Sequence, residues 1–106
     1  MLARNVLLHL KPNSVADFTH TIEKEIIPLL RKQKGFQDEL TFIDPDGLEA
    51  VGISLWDREE DAEVYNRGTY KDVLKALARV IDGTPQIQNF EVSNSTFHKI
   101  AARVLR

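Results

Sequence analysis

Glu49-Ala50-Val51-Gly52-Ile53-Ser54-Leu55-Trp56-Asp57-Arg58-Glu59-Glu60-Asp61 is an alternating run that ends in the only tryptophan of the chain and turns at once into acidic residues. Strand side chains point to opposite faces with period two, so Ala50, Gly52, Ser54 and Trp56 share one face and Val51, Ile53 and Leu55 the other. Three small side chains before one large aromatic leave room above the first face, with the indole at one end of that room. The second face is aliphatic throughout. A strand suited to water on neither side belongs in a sheet covered twice, once by helices and once by something else.

The flanking segments supply the helices. Residues 3–11 read as a strand, with Val6, Leu8 and Leu10 on one side and Asn5, Leu7 and His9 on the other, and Pro12-Asn13 breaks it. Ser14 then opens a helix as N-cap, with Asp17 in the capping-box position and Val15, Phe18, Ile22, Ile26 and Leu29 at helical spacing. Pro28 removes a hydrogen bond and bends the last turn, and Gly35 ends the unit. Phe36–Ile43 reads as a second strand, Asp44-Pro45-Asp46-Gly47 as a tight turn, and Glu49–Trp56 as the returning arm of a hairpin. Asp57 caps the next helix, whose Glu59, Glu60 and Asp61 suit the positive end of the helix dipole. Gly68-Thr69 interrupts that helix; Tyr70, Val73, Leu74, Leu77, Val80 and Ile81 carry it on to Gly83, and residues 87–93 form the fourth strand.

The order βαββαβ with right-handed crossovers places both helices on one face of a four-stranded antiparallel sheet, the ferredoxin-like α+β arrangement. Residues 1–93 make this one domain. Residues 94–106 form a tail carrying Phe97, Ile100, Val104 and Leu105, which docks on the same or the partner subunit. The sheet face away from the helices collects Leu7, Val51, Ile53 and Leu55, with Ile43 or Phe42 beside them. That patch is larger than a monomer normally exposes. Packing two such faces through a two-fold axis gives a homodimer, a dimeric α/β barrel.

Composition narrows the function. The chain has 106 residues, enough for one core, with 42% hydrophobic and 28% charged residues. A formal charge of −2 and the lack of a basic run argue against nucleic-acid binding. With no cysteine, disulfides, thiolate metal sites and cysteine nucleophiles are excluded. Residues 1–10 are apolar but short and interrupted by Arg4, Asn5 and His9, which does not read as a signal peptide, and nothing reaches the length of a membrane span. A cytoplasmic protein without a membrane partner is the expectation.

Few residues offer chemistry. His9, His20 and His98 stand far apart, with no metal-ligand spacing among them. There is no Gly-x-Ser-x-Gly, and the acidic run at 57–61 reads as a solvated helix start. What remains is an aromatic set, Trp56 with Tyr65 and Tyr70 on either side of the Gly68 interruption. These rings either pack the core with their polar tips in water or line a ligand pocket floored by Ala50, Gly52 and Ser54. A helix that stops and restarts above a sheet favours the pocket.

The βαββαβ order, the strand ending in Trp56 followed by Asp57 and an Ala62-containing helix, and the Gly35-Phe36 start of the second strand resemble the antibiotic biosynthesis monooxygenase family, over roughly residues 3–92. The resemblance implies a homodimeric α/β barrel with a pocket between helices and sheet. Some members oxygenate polycyclic phenols or quinols without a cofactor, the substrate anion itself reducing dioxygen, and others degrade haem. Trp56 matches the strand-end tryptophan of the family, and Asn5 a first-strand asparagine of the haem-degrading members. Residues 62–81 lack the histidine that ligates iron in those members; many quinol-oxidising members also carry a histidine early in this helix, where Tyr65 or Asn66 stands here. Haem degradation is therefore not expected.

Two functions follow. One is a monooxygenase needing no cofactor or metal, acting on a small aromatic or quinol-like molecule. Its pocket candidates are Trp56, Tyr65, Tyr70, Asn5 and Ser54, with Tyr65, Tyr70 or Asn5 as the hydrogen-bonding group and the catalytic residues unassigned. The other is a non-catalytic dimeric barrel that binds a small apolar ligand.

Overall fold

The computed structural model describes residues 1–97. Four antiparallel strands, β1 (Leu2–Leu10), β2 (Phe36–Ile43), β3 (Glu49–Trp56) and β4 (Ile81–Glu91), form one sheet in the order β2-β3-β1-β4. Between β1 and β2 runs a helical segment made of α1 (Val15–Thr21), a π turn (Ile22–Ile26) and α2 (Ile27–Arg31). Between β3 and β4 lie α3 (Glu59–Arg67) and α4 (Tyr70–Leu77). The ferredoxin-like order is as the sequence predicts. No helix among the described residues is long and apolar enough to cross a membrane.

The alternation in β1 and β3 decides which side chains meet the helices. Leu8, Leu10, Ala50 and Trp56 are buried with Phe18, Ile26 and Leu30 from the first helical run and Ala62, Tyr65, Val73 and Leu77 from the second. At 0% exposure, Trp56 and Phe18 are the largest fully buried side chains. Connections of two to five residues complete the frame. Gly47 closes the hairpin turn, its N–H donating to Asp44 O at 2.8 Å, while Asp46 Oδ1 accepts from Leu48 N–H at 2.8 Å.

Several local expectations are corrected. Ser14 makes no side-chain cap; its hydroxyl turns back to Pro12 O at 3.5 Å, so no capping box forms with Asp17. Arg58, not Asp57, precedes the first turn of α3, because Asp57 Oδ1 is engaged by Gln37 Nε2 at 2.7 Å across the end of the sheet. Pro28 is accommodated by the π turn just before it: without an N–H, and with its ring crowding the carbonyl one turn back, it disfavours tight α geometry there.

The largest difference is at the end of the second helical run. Its last helix stops at Leu77, and Ile81 already belongs to β4, which is longer than the predicted 87–93 and ends at Glu91. Ile81 pairs with Leu10, and the step from Leu7 to His9 is matched by the step from Gln86 to Asp82, so β4 carries a bulge. Gly83 (φ +69°) and Pro85 lie in that bulge. Both read in sequence as a helix stop, yet on an edge strand they are what a bulge uses.

The face away from the helices is mixed. Ladder pairing brings Leu7 opposite Val51 and Phe42 opposite Val51 from the other side, with Ala3, Ile53, Leu55 and Phe90 in the same phase. Phe42, not Ile43, is therefore the outward residue, and Phe42 and Phe90 are 54% and 45% exposed. Asn5, Gln86 and Gln88 interrupt this apolar band along the β1–β4 side.

Candidate functional site: a cavity holding a buried arginine

A cavity of about 60 Å³ lies between the sheet and the helices. Its floor is Gly52, where a Cβ would meet nothing within 4 Å, and aliphatic side chains of both helical runs form most of its walls. Ile22, Glu39 and Thr41 line both this cavity and a cleft of about 270 Å³ between the π turn and β2, so the two adjoin along the edge strand. The volume exceeds what one water occupies, and the lining is largely apolar.

The polar group at the centre is Arg4, only 3% exposed. Strand β1 points it inward in phase with Val6, Leu8 and Leu10. Its Nη2 donates to Asn66 Oδ1 at 2.7 Å, and its guanidinium carbon lies 4.2 Å from the Tyr70 ring centre and 5.2 Å from that of Tyr65. Cation–π contact of this kind favours a buried guanidinium by roughly 1–2 kcal/mol. Among the described residues no carboxylate lies within ion-pair distance of it. Taking a guanidinium out of water without a counter-charge is costly, so a cavity that holds one is suited to an anion.

The tyrosines share this environment. Tyr65 is 3% exposed, and burial pushes its hydroxyl up to about 12, with the Arg4 charge pulling it back and Tyr70 adding to the rise. At neutral pH it is a protonated phenol, able to donate. Across the cavity Glu39 is half-buried; burial raises its carboxyl above the ordinary value, while the Thr41 hydroxyl donating to it acts the other way. The register ties the two charges together, because Ser54 of β3 is the direct partner of Arg4 in β1 and of Glu39 in β2.

Of the residues expected at the site, Tyr65 and Tyr70 line the cavity and Ser54 forms part of its floor. Trp56 does not line it. The indole is sealed behind Tyr65, 5.0 Å between ring centres, and meets Phe36 edge-on at 5.6 Å. Its Nε1–H donates to Ser54 Oγ at 2.8 Å, so it buttresses the floor. Asn5 is on the other side of the sheet, because odd-numbered residues of β1 point away from the helices, and its buried Oδ1 has no partner among the described residues. His9, on that same outer side, sits 3.5 Å from Glu49, and His20 is exposed. His98 lies outside the described residues, as does the tail from there onward; Phe97 is 76% exposed.

Arg4 and Glu39 were missed by sequence reasoning. For Arg4 the signal was present: it is in phase with Val6, Leu8 and Leu10, and a charge on an apolar strand face marks a buried site. For Glu39 no such signal exists, since its direction depends on a bulge at Gln37, between the Phe36–Trp56 and Asp38–Leu55 pairs.

No family model and no curated protein matches the chain. Solved structures do. The ActVA-Orf6 monooxygenase of Streptomyces coelicolor, solved with nanaomycin D, superposes with a TM-score of 0.75 at 15% identity, covering 89% of this chain and 88% of that one. SnoaB of Streptomyces nogalater, a cofactor-independent oxygenase, gives 0.73 at 13% identity, covering 90% and 95%. A Nitrosomonas europaea protein of unknown function, NE2512, gives 0.72 at 19% identity, covering 99% and 94%. The chain has the ferredoxin-like fold of the antibiotic biosynthesis monooxygenases. At these identities the likeness establishes the fold and nothing finer.

Proposed function

We propose that the protein is a cofactor-independent monooxygenase for a small aromatic or quinol-like substrate that reacts as its anion. The observation that carries this is Arg4: a buried, ring-stacked guanidinium without a carboxylate partner among the described residues, facing an apolar cavity. In such a reaction the protein need only bind, desolvate and orient the substrate and stabilise its negative charge. A methylene flanked by aryl rings and one dioxygen yield a ketone and one water, so electrons balance with no further reductant. The fold shared with two named oxygenases supports the reading.

The test is oxygen uptake with a panel of anthrone-like and quinol compounds. Wild type consumes oxygen with one of them, and Arg4→Gln lowers kcat/KM by about 100-fold, the usual cost of losing a charge-stabilising donor. Uptake unaffected by Arg4→Gln removes the proposal. A second reading, a binding protein without turnover, draws support from the cavity lining, which includes no histidine among the described residues; tight binding with no oxygen consumption selects it.

The assembly belongs to the same proposal. A homodimer that packs the outer sheet faces together covers Phe42 and Phe90.

A further inference from the structure

Arg4 explains how an anion is held, but not where the substrate loses its proton. The groups that titrate or carry charge around the cavity are Arg4 on β1, Glu39 on β2, Tyr65 on α3 and Tyr70 on α4, with Glu23 of the π turn at the outer cleft. Two are phenols and one is a guanidinium, which leaves Glu39 as the base that reaches the inner cavity. Glu39 and Arg4 do not pair with each other. They are rooted on either side of Ser54, two strand spacings or about 10 Å apart at the backbone. A cation and a carboxylate that line one cavity without meeting are suited to two ends of one ligand.

We infer that Glu39 is the general base of this site and that its ligand is a conjugated hydroxy-aromatic, bearing an acidic hydroxyl at the Glu39 end and an electron-accepting oxygen at the Arg4 end. The hydroxyl O–H bond breaks as its proton passes to a Glu39 carboxylate oxygen. The electron pair left behind delocalises through the ring to the far oxygen, where the Arg4 N–H donors not used by Asn66 receive the charge. The Thr41 hydroxyl holds Glu39 in place. A raised proton affinity from burial makes Glu39 a better base. The assignment rests on the anion-binding reading above but not on oxygen chemistry.

4-Nitrophenol is the probe, because its hydroxyl is conjugated to a nitro group and it turns yellow only when ionised. Wild type is expected to bind it in the yellow form below the pH at which the free compound ionises. Calorimetry in buffers of different ionisation heat should show almost no proton released, since Glu39 keeps it. Glu39→Gln should retain binding but release about one proton for each anion formed, and Arg4→Gln should lose at least tenfold in affinity. Gly52→Val, which puts a side chain into the open space above the floor, should abolish binding in a folded protein. A colourless complex, an unchanged proton count in Glu39→Gln, or no binding by wild type overturns the inference. Binding as described without oxygen uptake by any substrate would sink the oxygenase and leave this assignment standing; oxygen uptake undiminished in Glu39→Gln would do the reverse.

Discussion

Tyr65 shows how one residue's burial sets both chemistry and stability. Its hydroxyl pKa is raised to about 12, so the folded state holds the proton more tightly than the unfolded chain, where it titrates near 10. A raised folded value means the contribution is complete below the unfolded pKa and lost as pH climbs towards the folded one. Stability should therefore fall between about pH 10 and 12, by on the order of 2 kcal/mol from this group. Tyr65→Phe should flatten that part of the curve, which denaturation at stepped alkaline pH would show; an identical fall in the variant means another group is responsible. Gly52 is a residue of the opposite kind, useful for what it lacks. Since open space stands where its Cβ would be, Gly52→Ala should fold as stably as wild type or better by up to about 1 kcal/mol while narrowing the cavity. Thermal unfolding measures the first effect and ligand affinity the second.

At the scale of elements, two glycines with similar backbones predict different outcomes. Gly35 joins α2 to β2 at φ +80°, and Gly83 sits in the β4 bulge at φ +69°. A Cβ at Gly35 would lie 2.1 Å from Asp61 Oδ2, because α3 packs that carboxylate onto the bare backbone, whereas a Cβ at Gly83 meets nothing within 4 Å. Gly83→Ala should cost about 1 kcal/mol, from backbone conformation alone. Gly35→Ala should cost about 3 kcal/mol or more, because strain and overlap add. Chemical denaturation of the pair distinguishes the terms; equal losses would show that Asp61 simply moves away. The same comparison explains the misplaced end of the second helical run. Gly83 and Pro85 punctuate a helix or bulge a strand, and local sequence cannot choose between these. Pairing of Ile81 with Leu10 chooses, by giving the β4 backbone a hydrogen-bonded neighbour.

At the scale of the whole molecule, the outer sheet face makes the assembly testable. Phe42→Asp places a charge in the apolar band, on its edge strand β2, without entering the core or the cavity. Light scattering at micromolar concentration should give the mass of two chains for wild type and of one for the variant, with the fold unchanged by circular dichroism. A wild-type monomer would contradict the dimer and leave the cavity argument intact, because Arg4, Glu39, Tyr65 and Tyr70 meet at the cavity within the single chain.

Much of the architecture is written in local pattern. The alternation of 49–56 defined a strand with a bare inner face, the Asp-Pro-Asp-Gly turn made it a hairpin, and the apolar positions of two helical runs required one shared sheet face. These survive because period and turn chemistry act over a few neighbouring residues. Tyr65 and Tyr70 face the sheet for the same reason. The burial of Trp56 behind Tyr65, instead of in the cavity, depended on how rings from three elements divide one space. Glu39 depended on still more: Phe36 and Glu39 are three apart, so regular pleating would send them to opposite faces, and only the bulge at Gln37 turns both inward. Sequence alone thus determined the strand and helix order and the existence of a floor beneath the helices. Tertiary structure decided which charges stand above that floor, because register across neighbouring strands is a property of the assembled sheet and of no single segment.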